Sequence, residues 1–457
     1  MKNLKIHIAR FILEATTPIF VGSGKSSLLK DALVQRDANG FPMIPGTSLA
    51  GVLRHAIQLS EDGEKLAAAL FGSAKDKEGQ GAGSPVKVSS AVLLLKENFV
   101  SEGLLPLEEF KDNKAKFDQL PVRQHVKITD KGTARDKGLF DNEVVYKGVR
   151  FVFEIEASVD LVGEDSWNSL LDKVKSSTLR VGAGTRNGYG LLKPIKSFEK
   201  TLTLDEYLNL SPSLNEDSWW NHLEQIQSLN SQENLVHYRL ELQPDPFFIF
   251  GGGHGDTDVD NVPLVEMVAN YNKGSLDFQE ENTVIPGSSV KGAIAHRVAF
   301  YYNLKEEKFA DTGEGFTVET NPAVQGLFGK AGEDTSDPRA GKVFFKDVFF
   351  SKEEVTNEKI LNHVVIDRFT GGAMEGLLFS EKVSHFKQPE KKLIINIELQ
   401  LTEETLKYQN HLEDALTDVC RGRLPLGGLT TKGHGIFTGQ LFRSEFSKKD
   451  KTIFNYQ

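Results

Sequence analysis

IPGTSLAGVLRHA, from Ile44 to Ala56, returns as IPGSSVKGAIAHR, from Ile285 to Arg297. Composition alone does not repeat an Ile-Pro-Gly start, a hydroxyl pair and a glycine at Gly51 and Gly292 in register, so one unit occurs twice. Other landmarks recur in the same order: Leu70-Phe71-Gly72 and Leu327-Phe328-Gly329, then Gly188-Tyr189-Gly190 and Gly433-His434-Gly435. The opening strand HIARFILEATTPIFVGSG from His7 is echoed by HYRLELQPDPFFIFGGG from His237. This is duplication of a whole domain, not a short-period solenoid.

The chain has 457 residues, 39% of them hydrophobic, enough for two separate cores. A first domain over residues 1–200, a linker over 201–234 and a second domain over 235–457 follow from the repeat. The linker stretch SPSLNEDSWWNHLEQIQSLNSQEN reads as a turn, a capped helix and a polar link, with Trp219 and Trp220 packed against a domain. Alternating runs such as KIHIARFILEA, RFVFEIEASVDL, KVFFKDVFF and KLIINIELQL read as antiparallel strands, and helices after each Pro-Gly turn make the whole α+β.

A single cysteine, Cys420, rules out an internal disulfide framework and fits a reducing compartment. With no N-terminal signal and no long apolar run, the expectation is a cytoplasmic protein with no membrane partner. The net charge of −10 argues against a general nucleic-acid coat, yet the repeated motifs carry Lys and Arg while acids concentrate elsewhere. That leaves basic motif faces free to meet an anion.

Pro45-Gly46 and Pro286-Gly287 make tight turns, after which Thr47/Ser48 and Ser288/Ser289 are placed to cap a helix. Such a helix start offers free amides and a positive dipole end, a phosphate seat if it is not simply a structural cap. Near each domain's end lies a glycine-rich segment, RVGAGTRNGYG from Arg180 and PLGGLTTKGHG from Pro425, where main-chain amides and basic side chains suit a polyanion or merely turn the chain between strands. VGSGKSS at Val21 to Ser27 is no Walker loop, because the position needing its first glycine is Ile19.

Together, the glycine-rich turn, the Asp-containing loop, the IPG helix, the LFG triplet and the late glycine-rich loop resemble the RAMP superfamily of CRISPR-Cas proteins. Within it, the chain looks like a tandem fusion of two backbone subunits of a type III RNA-guided effector, with the III-D branch as the candidate subtype. The resemblance implies two RRM-like, ferredoxin-like domains, each with a glycine-rich loop and a thumb-like hairpin insertion. The thumbs are expected around Asp130 to Phe140 and Asp367 to Phe379. It implies a guide RNA, a target RNA and other type III effector subunits as partners.

Family members that cut target RNA carry an Asp in the loop before the IPG helix. KDALVQRD places Asp31 there and VDNVPLVE places Asp260, although the first copy has Leu33 where the pattern has proline, and the second has Pro263 shifted by one. The resemblance makes Asp31 and Asp260 the catalytic acids and weak ligands of Mg²⁺ or a similar divalent cation, which would be recruited rather than caged. Asp37, Asp256, Asp258, His55 and His296 are further catalytic or metal candidates. The RNA-binding set it implies is Ser48 and Arg54 with Ser289, Lys291 and Arg297 on the motif helices. To these it adds Arg135, Lys137 and Arg368 on the thumbs, Arg180, Gly182, Gly184, Arg186 and Gly188 in the first loop, and Gly427, Gly428, Lys432, Gly433 and His434 in the second.

The expected function is a guide-binding backbone subunit that cleaves complementary RNA at two regularly spaced points, one per domain, with base pairing reading the sequence. An inert RNA-binding scaffold, a guide-processing endoribonuclease working through a general acid-base His, and a carbohydrate or peptide binder are the alternatives.

Overall fold

Each half of the chain forms an antiparallel sheet whose four main strands run in the order fourth, first, third, second, the ferredoxin-like arrangement. In the first, Leu192–Thr203, Lys5–Ala15, Arg150–Ser158 and Val92–Lys96 lie side by side; in the second, Phe437–Glu445, Leu235–Pro244, Leu393–Gln400 and Val343–Lys346. The computed structural model describes residues 4–60, 62–73, 81–227, 234–308, 315–330, 338–351, 355–388, 390–445 and 451–455.

Two helices cover the inner face of each sheet. Gly46–Gln58 sets Leu49, Leu53 and Ile57 on one stripe, and Glu164–Val174 adds Trp167, Leu170, Leu171 and Val174. Their counterparts are Gly287–Lys305 and Glu403–Cys420, the latter started by a capping box between Thr402 and Thr405. The α+β class and the two-domain ferredoxin-like reading hold.

The sheets differ in what covers their outer faces. Leu235–Pro244 alternates cleanly, with Val236, Tyr238, Leu240 and Leu242 inward, as a sheet with one packed face should. Lys5–Ala15 buries both faces: Ala9, Phe11 and Leu13 point to the helices, while Ile8 and Ile12 join Trp219 and Trp220 on the other side. Both indole N–H groups donate to the Leu214 carbonyl, at 3.1 and 2.8 Å, and the Arg10 guanidinium lies 5.2 Å from the Trp219 ring. The described part of the segment 201–227 is therefore a cover on the first sheet, and Glu224–Gln225 extends that sheet's edge. The remainder of the expected linker, residues 228–233, lies outside the described residues.

The halves are tightly joined. Asn187–Gly188 of the first domain pairs in parallel with Phe345 and Lys346 of the second sheet. In return, Ala269 and Leu276 join the first core, and the Tyr271 hydroxyl donates to the Leu94 carbonyl at 2.8 Å.

Candidate functional site

A long hairpin rises from each domain between its second and third sheet strands: Val122–Ile128 with Ala134–Glu143, and Val355–Ile366 with Ala373–Phe386. They enclose the expected thumb segments and start earlier. The two superimpose in register. Both outgoing strands carry a bulge, at Val126/Ile128 and Val364/Ile366, and His125 stacks on Phe140 as His363 stacks on Phe379, with ring centroids 4.9 and 4.6 Å apart. Lys137 and Gly376 occupy the same position in the return strand, both with positive φ, 54° and 75°.

At the root of each hairpin sits an expected catalytic acid. The Asp31 amide donates to Asp141 Oδ1 at 2.8 Å, and the Asp141 amide donates back to Asp31 Oδ2 at 3.0 Å. In the second domain the Ser380 amide and hydroxyl donate to Asp260 Oδ2 at 2.7 and 3.2 Å, and the Asp260 amide donates to the Ser380 carbonyl at 3.0 Å. Both side chains are exposed, and each uses one carboxylate oxygen for the hairpin. The shifted proline does not displace the second acid from the equivalent place.

Behind each acid lies a polar cluster that the sequence reading missed. His125 Nε2 is 3.0 Å from Asn142 Oδ1 and 3.1 Å from the Tyr189 hydroxyl; burial, with the Arg123 charge nearby, lowers its pKa. In the second domain His363 Nε2 and His434 Nε2 lie 2.8 and 3.0 Å from Glu381 Oε1, a fully buried carboxylate. His434, expected to bind RNA, is thus buried within the protein. Aligning the hairpins as the IPG motifs were aligned brings His125-Val126 over His363-Val364, a signal that would have found the histidines.

Two of the other candidate acids hold turns through their carboxylates. Asp37 Oδ1 accepts from the Asn39 and Phe41 amides, closing a turn. Asp256 accepts from the Asp258 and Val259 amides and from Lys382 Nζ at 2.8 Å, and the Lys382 bond and those amides pull its pKa down to about 2. Asp258 is exposed on that turn. His55 is exposed near the end of the first motif helix, and His296 Nδ1 lies 3.9 Å from Asp130 Oδ1 at the tip of the first hairpin. Among the described residues no group of three His, Cys, Asp or Glu is arranged to hold a metal ion.

The motif helices are capped differently from the expectation. Pro45 and Pro286 are the N-caps, and no hydroxyl of Thr47, Ser48, Ser288 or Ser289 makes a capping bond. The first amides are already engaged: Gly46 N–H with Ser90 Oγ at 3.2 Å and Gly287 N–H with the buried Asp347 Oδ1 at 2.7 Å. Farther along, Gly51 and Gly292 are exposed, and a Cβ at either would meet nothing within 4 Å. The open part of each helix is therefore its middle, beside Ser48, Arg54 and Ser289, not its N-terminus.

Several cations read as RNA contacts are bound inside the protein. Arg180 pairs with Glu398 at 2.5 Å, Arg186 Nε donates to the Gly341 carbonyl at 3.0 Å, and both guanidinium groups lie over the Phe344 ring. Lys291 donates to Asn187 Oδ1 at 2.9 Å; burial, aided by Arg186, lowers its pKa to about 8. Arg297 pairs with the fully buried Asp418. Arg135 reaches Glu319 at 2.8 Å, whereas Arg368, beside the exposed Phe369, and Lys137 stay at exposed hairpin positions.

The glycines of the two loops match. A Cβ at Gly182 would strike the Phe20 carbonyl and one at Gly427 the Ile249 carbonyl, so both loops need bare backbone to pack on their own domain. Gly184 lies against the Tyr189 ring and Gly428 near Ile249. They differ one step later: Gly188 is pressed against Asp347 of the second domain, while Gly433 has nothing near it. Lys432 Nζ lies 4.1 Å from the Phe379 ring centroid.

No helix among the described residues is long and apolar enough to cross a membrane. The family description of the RAMP superfamily matches residues 12–193 and 248–438. No curated protein matches the chain. Among solved structures, a chain of "Type III-B Cmr-beta Cryo-EM structure of the Apo state" is similar at 15% identity over 41% of this chain and 96% of that one, with a TM-score of 0.29.

Proposed function

The chain belongs to the RAMP superfamily, and on that premise we propose that it is a guide-RNA-binding backbone subunit of a type III CRISPR effector that cuts complementary RNA at two points, using Asp31 and Asp260. The observation that carries this reading is the matched setting of the two acids. Each is an exposed carboxylate tied by one oxygen to the return strand of its hairpin.

Fixing one carboxylate oxygen leaves the other aimed by the hairpin root, so the acid is pre-positioned for a ribose hydroxyl or a phosphate-bound cation brought in by the RNA. The donor set, Asp31 beside Asp141 in the first site and Asp260 beside Ser380 in the second, fits a loosely held Mg²⁺ completed by water and phosphate oxygens rather than a protein cage. Such an ion would neutralise charge on the phosphate being cut. The open helix faces around Gly51 and Gly292 admit a nucleic-acid backbone, with Arg54 and the adjacent hydroxyls as its contacts.

The test is cleavage of end-labelled target RNA by the guide-loaded assembly with Asp31→Asn, Asp260→Asn and both. Loss of one distinct product per single substitution, with guide retained, supports two independent sites. Survival of every product in the double variant leaves the chain a scaffold.

A further inference from the structure

The outer faces of the two sheets keep one pair of side chains and surround it differently. Arg10 lies opposite Phe198 and Glu154 on the flanking strands, and Arg239 lies opposite Phe442 and Asn396. The strand ends carry the same match, with Ala15 opposite Leu192 and Pro244 opposite Phe437. In the first domain the arginine is sealed: Nε meets Glu154 at 2.6 Å, Nη2 donates to the Ser211 carbonyl at 3.0 Å, and Trp219 lies against the guanidinium. In the second, the Arg239 guanidinium lies 4.7 Å from the Phe442 ring centroid, on the wall of an open recess of about 270 Å³.

This recess does not suit a cover like residues 201–227. The tryptophans of that cover rest on Ile8 and Ile12; the matching positions in the second strand are His237 and Glu241. The carboxylate that faces Arg10 is replaced by Asn396. The arginine and the phenylalanine persist, while the apolar bed and the cross-strand acid do not. A ligand for such a place brings a flat ring to stack and a negative charge of its own.

The charge exposed there is positive. His237, Arg239 and Lys346 keep 42%, 41% and 31% of their side chains in solvent, whereas Glu398 among them keeps 6% and is paired with Arg180 and Lys346. Glu241 lies 3.4 Å from Arg239 and is shared with Lys392 at 3.0 Å. Lys346 also lines a second recess, of about 290 Å³, with Thr16, Ser177 and the exposed Lys193 of the first domain. The two recesses meet at that lysine as one groove, basic on a protein of net charge −10. Cations spaced along a groove beside an aromatic ring match a phosphodiester chain with unstacked bases. The groove lies across the sheet from the helix Gly287–Lys305, which packs on the inward Tyr238 and Leu240, so it is separate from the open helix face at Gly292.

We propose that this groove binds a short single-stranded RNA segment, the unpaired overhang of an RNA already held by the assembly. Arg239, backed by Phe442, stacks a base, and Lys346 and Lys193 meet phosphates. Binding is independent of sequence, because rings and point charges do not read base edges. The site requires neither Asp31 nor Asp260 to cut.

The test measures RNA affinity of the assembled ribonucleoprotein by fluorescence anisotropy. One arm compares a target ending flush with the guide against one extended by about ten unpaired uridines, and the other puts the same extension on the guide. An extension is expected to tighten binding about tenfold, and the arm in which it does so names the source of the overhang. Arg239→Gln/Lys193→Gln should erase that gain and lower the salt slope by about 0.7 per cation removed, with affinity for the flush RNA unchanged. Arg239→Gln alone should lose part of it. A photo-crosslinking amino acid at Ser444, on the rim of the first recess, should label the uridines. No gain from either extension, a gain that survives the double variant, or adducts from 444 on a protein instead of RNA overturns the proposal. Cleavage of the flush target is read in the same samples, so failure here is distinct from failure of the Asp31 and Asp260 reading.

Discussion

Asp31 and Asp141 hold each other through both of their amides, each backbone N–H donating to the other's carboxylate. One hundred and ten residues of chain separate them, and the closure ties the acid-bearing loop to the hairpin that would hold RNA beside it. The second domain makes the same closure with Ser380, whose hydroxyl adds a bond that Asp141 lacks.

Asp141→Ala removes the acceptor of the Asp31 amide and keeps the donor to Asp31 Oδ2. A bond of about 1 kcal/mol corresponds to a roughly fivefold drop in rate at the first site. Quantified product ladders should show that drop with the second product unchanged, and Asp141→Asn should restore the rate because its carbonyl oxygen still accepts.

Ser380→Ala should be milder at the second site. The Ser380 amide still donates to Asp260 at 2.7 Å, so the expected loss is about twofold, read from the same ladder.

The Arg123 guanidinium is shared by Glu266 and Asp347 in a site where all three side chains are almost wholly buried. Arg123→Met leaves two uncompensated carboxylates and should cost about 3–5 kcal/mol in urea denaturation. Combining it with Glu266→Gln and Asp347→Asn should recover most of that loss, since the penalty lies in the unpaired charge rather than in lost packing.

Burial pushes the Asp347 carboxyl up to about 6, against the pull of Arg123 and of the Gly287 amide. In the unfolded chain the group titrates near 3.8. Between those values the folded state holds a proton that the unfolded state has released, so this group's contribution to stability is full below about pH 4 and is lost as pH rises through about 6. Asp347→Asn keeps the acceptor for Gly287 and should flatten the stability profile across that window relative to the parent.

Gly51 and Gly292 lie mid-helix with open space where a side chain would go. Gly292→Glu should leave the melting temperature unchanged or slightly higher, because glycine is a poor helix residue by about 1 kcal/mol. It should weaken guide binding about tenfold, more at low salt than at high, if RNA passes over this face.

The sequence shows the duplication because paired motifs such as IPG, LFG and the final glycine loop survive as local strings, and the ferredoxin-like fold is legible only through the family resemblance those strings carry. It points to Asp31 and Asp260 only through the family's pattern of an Asp in the loop before the IPG helix. It hides what the cations do. Arg180, Arg186 and Arg297 look free in a linear reading, but Glu398, Gly341 and Asp418 lie more than a hundred residues away, and only the fold brings them together. Asp141 and Ser380 are hidden differently: the duplicated contact rests on backbone amides, so side-chain identity has drifted while the geometry stayed.

The cover on the first sheet also makes the molecule optically lopsided. The chain's three tryptophans are Trp167, Trp219 and Trp220, and all are buried around the first sheet. Intrinsic tryptophan emission therefore reports the first domain alone, while the second melts unseen at that wavelength. Comparing an emission melt with a circular-dichroism melt of the unlabelled chain separates the stability of one half from that of the other.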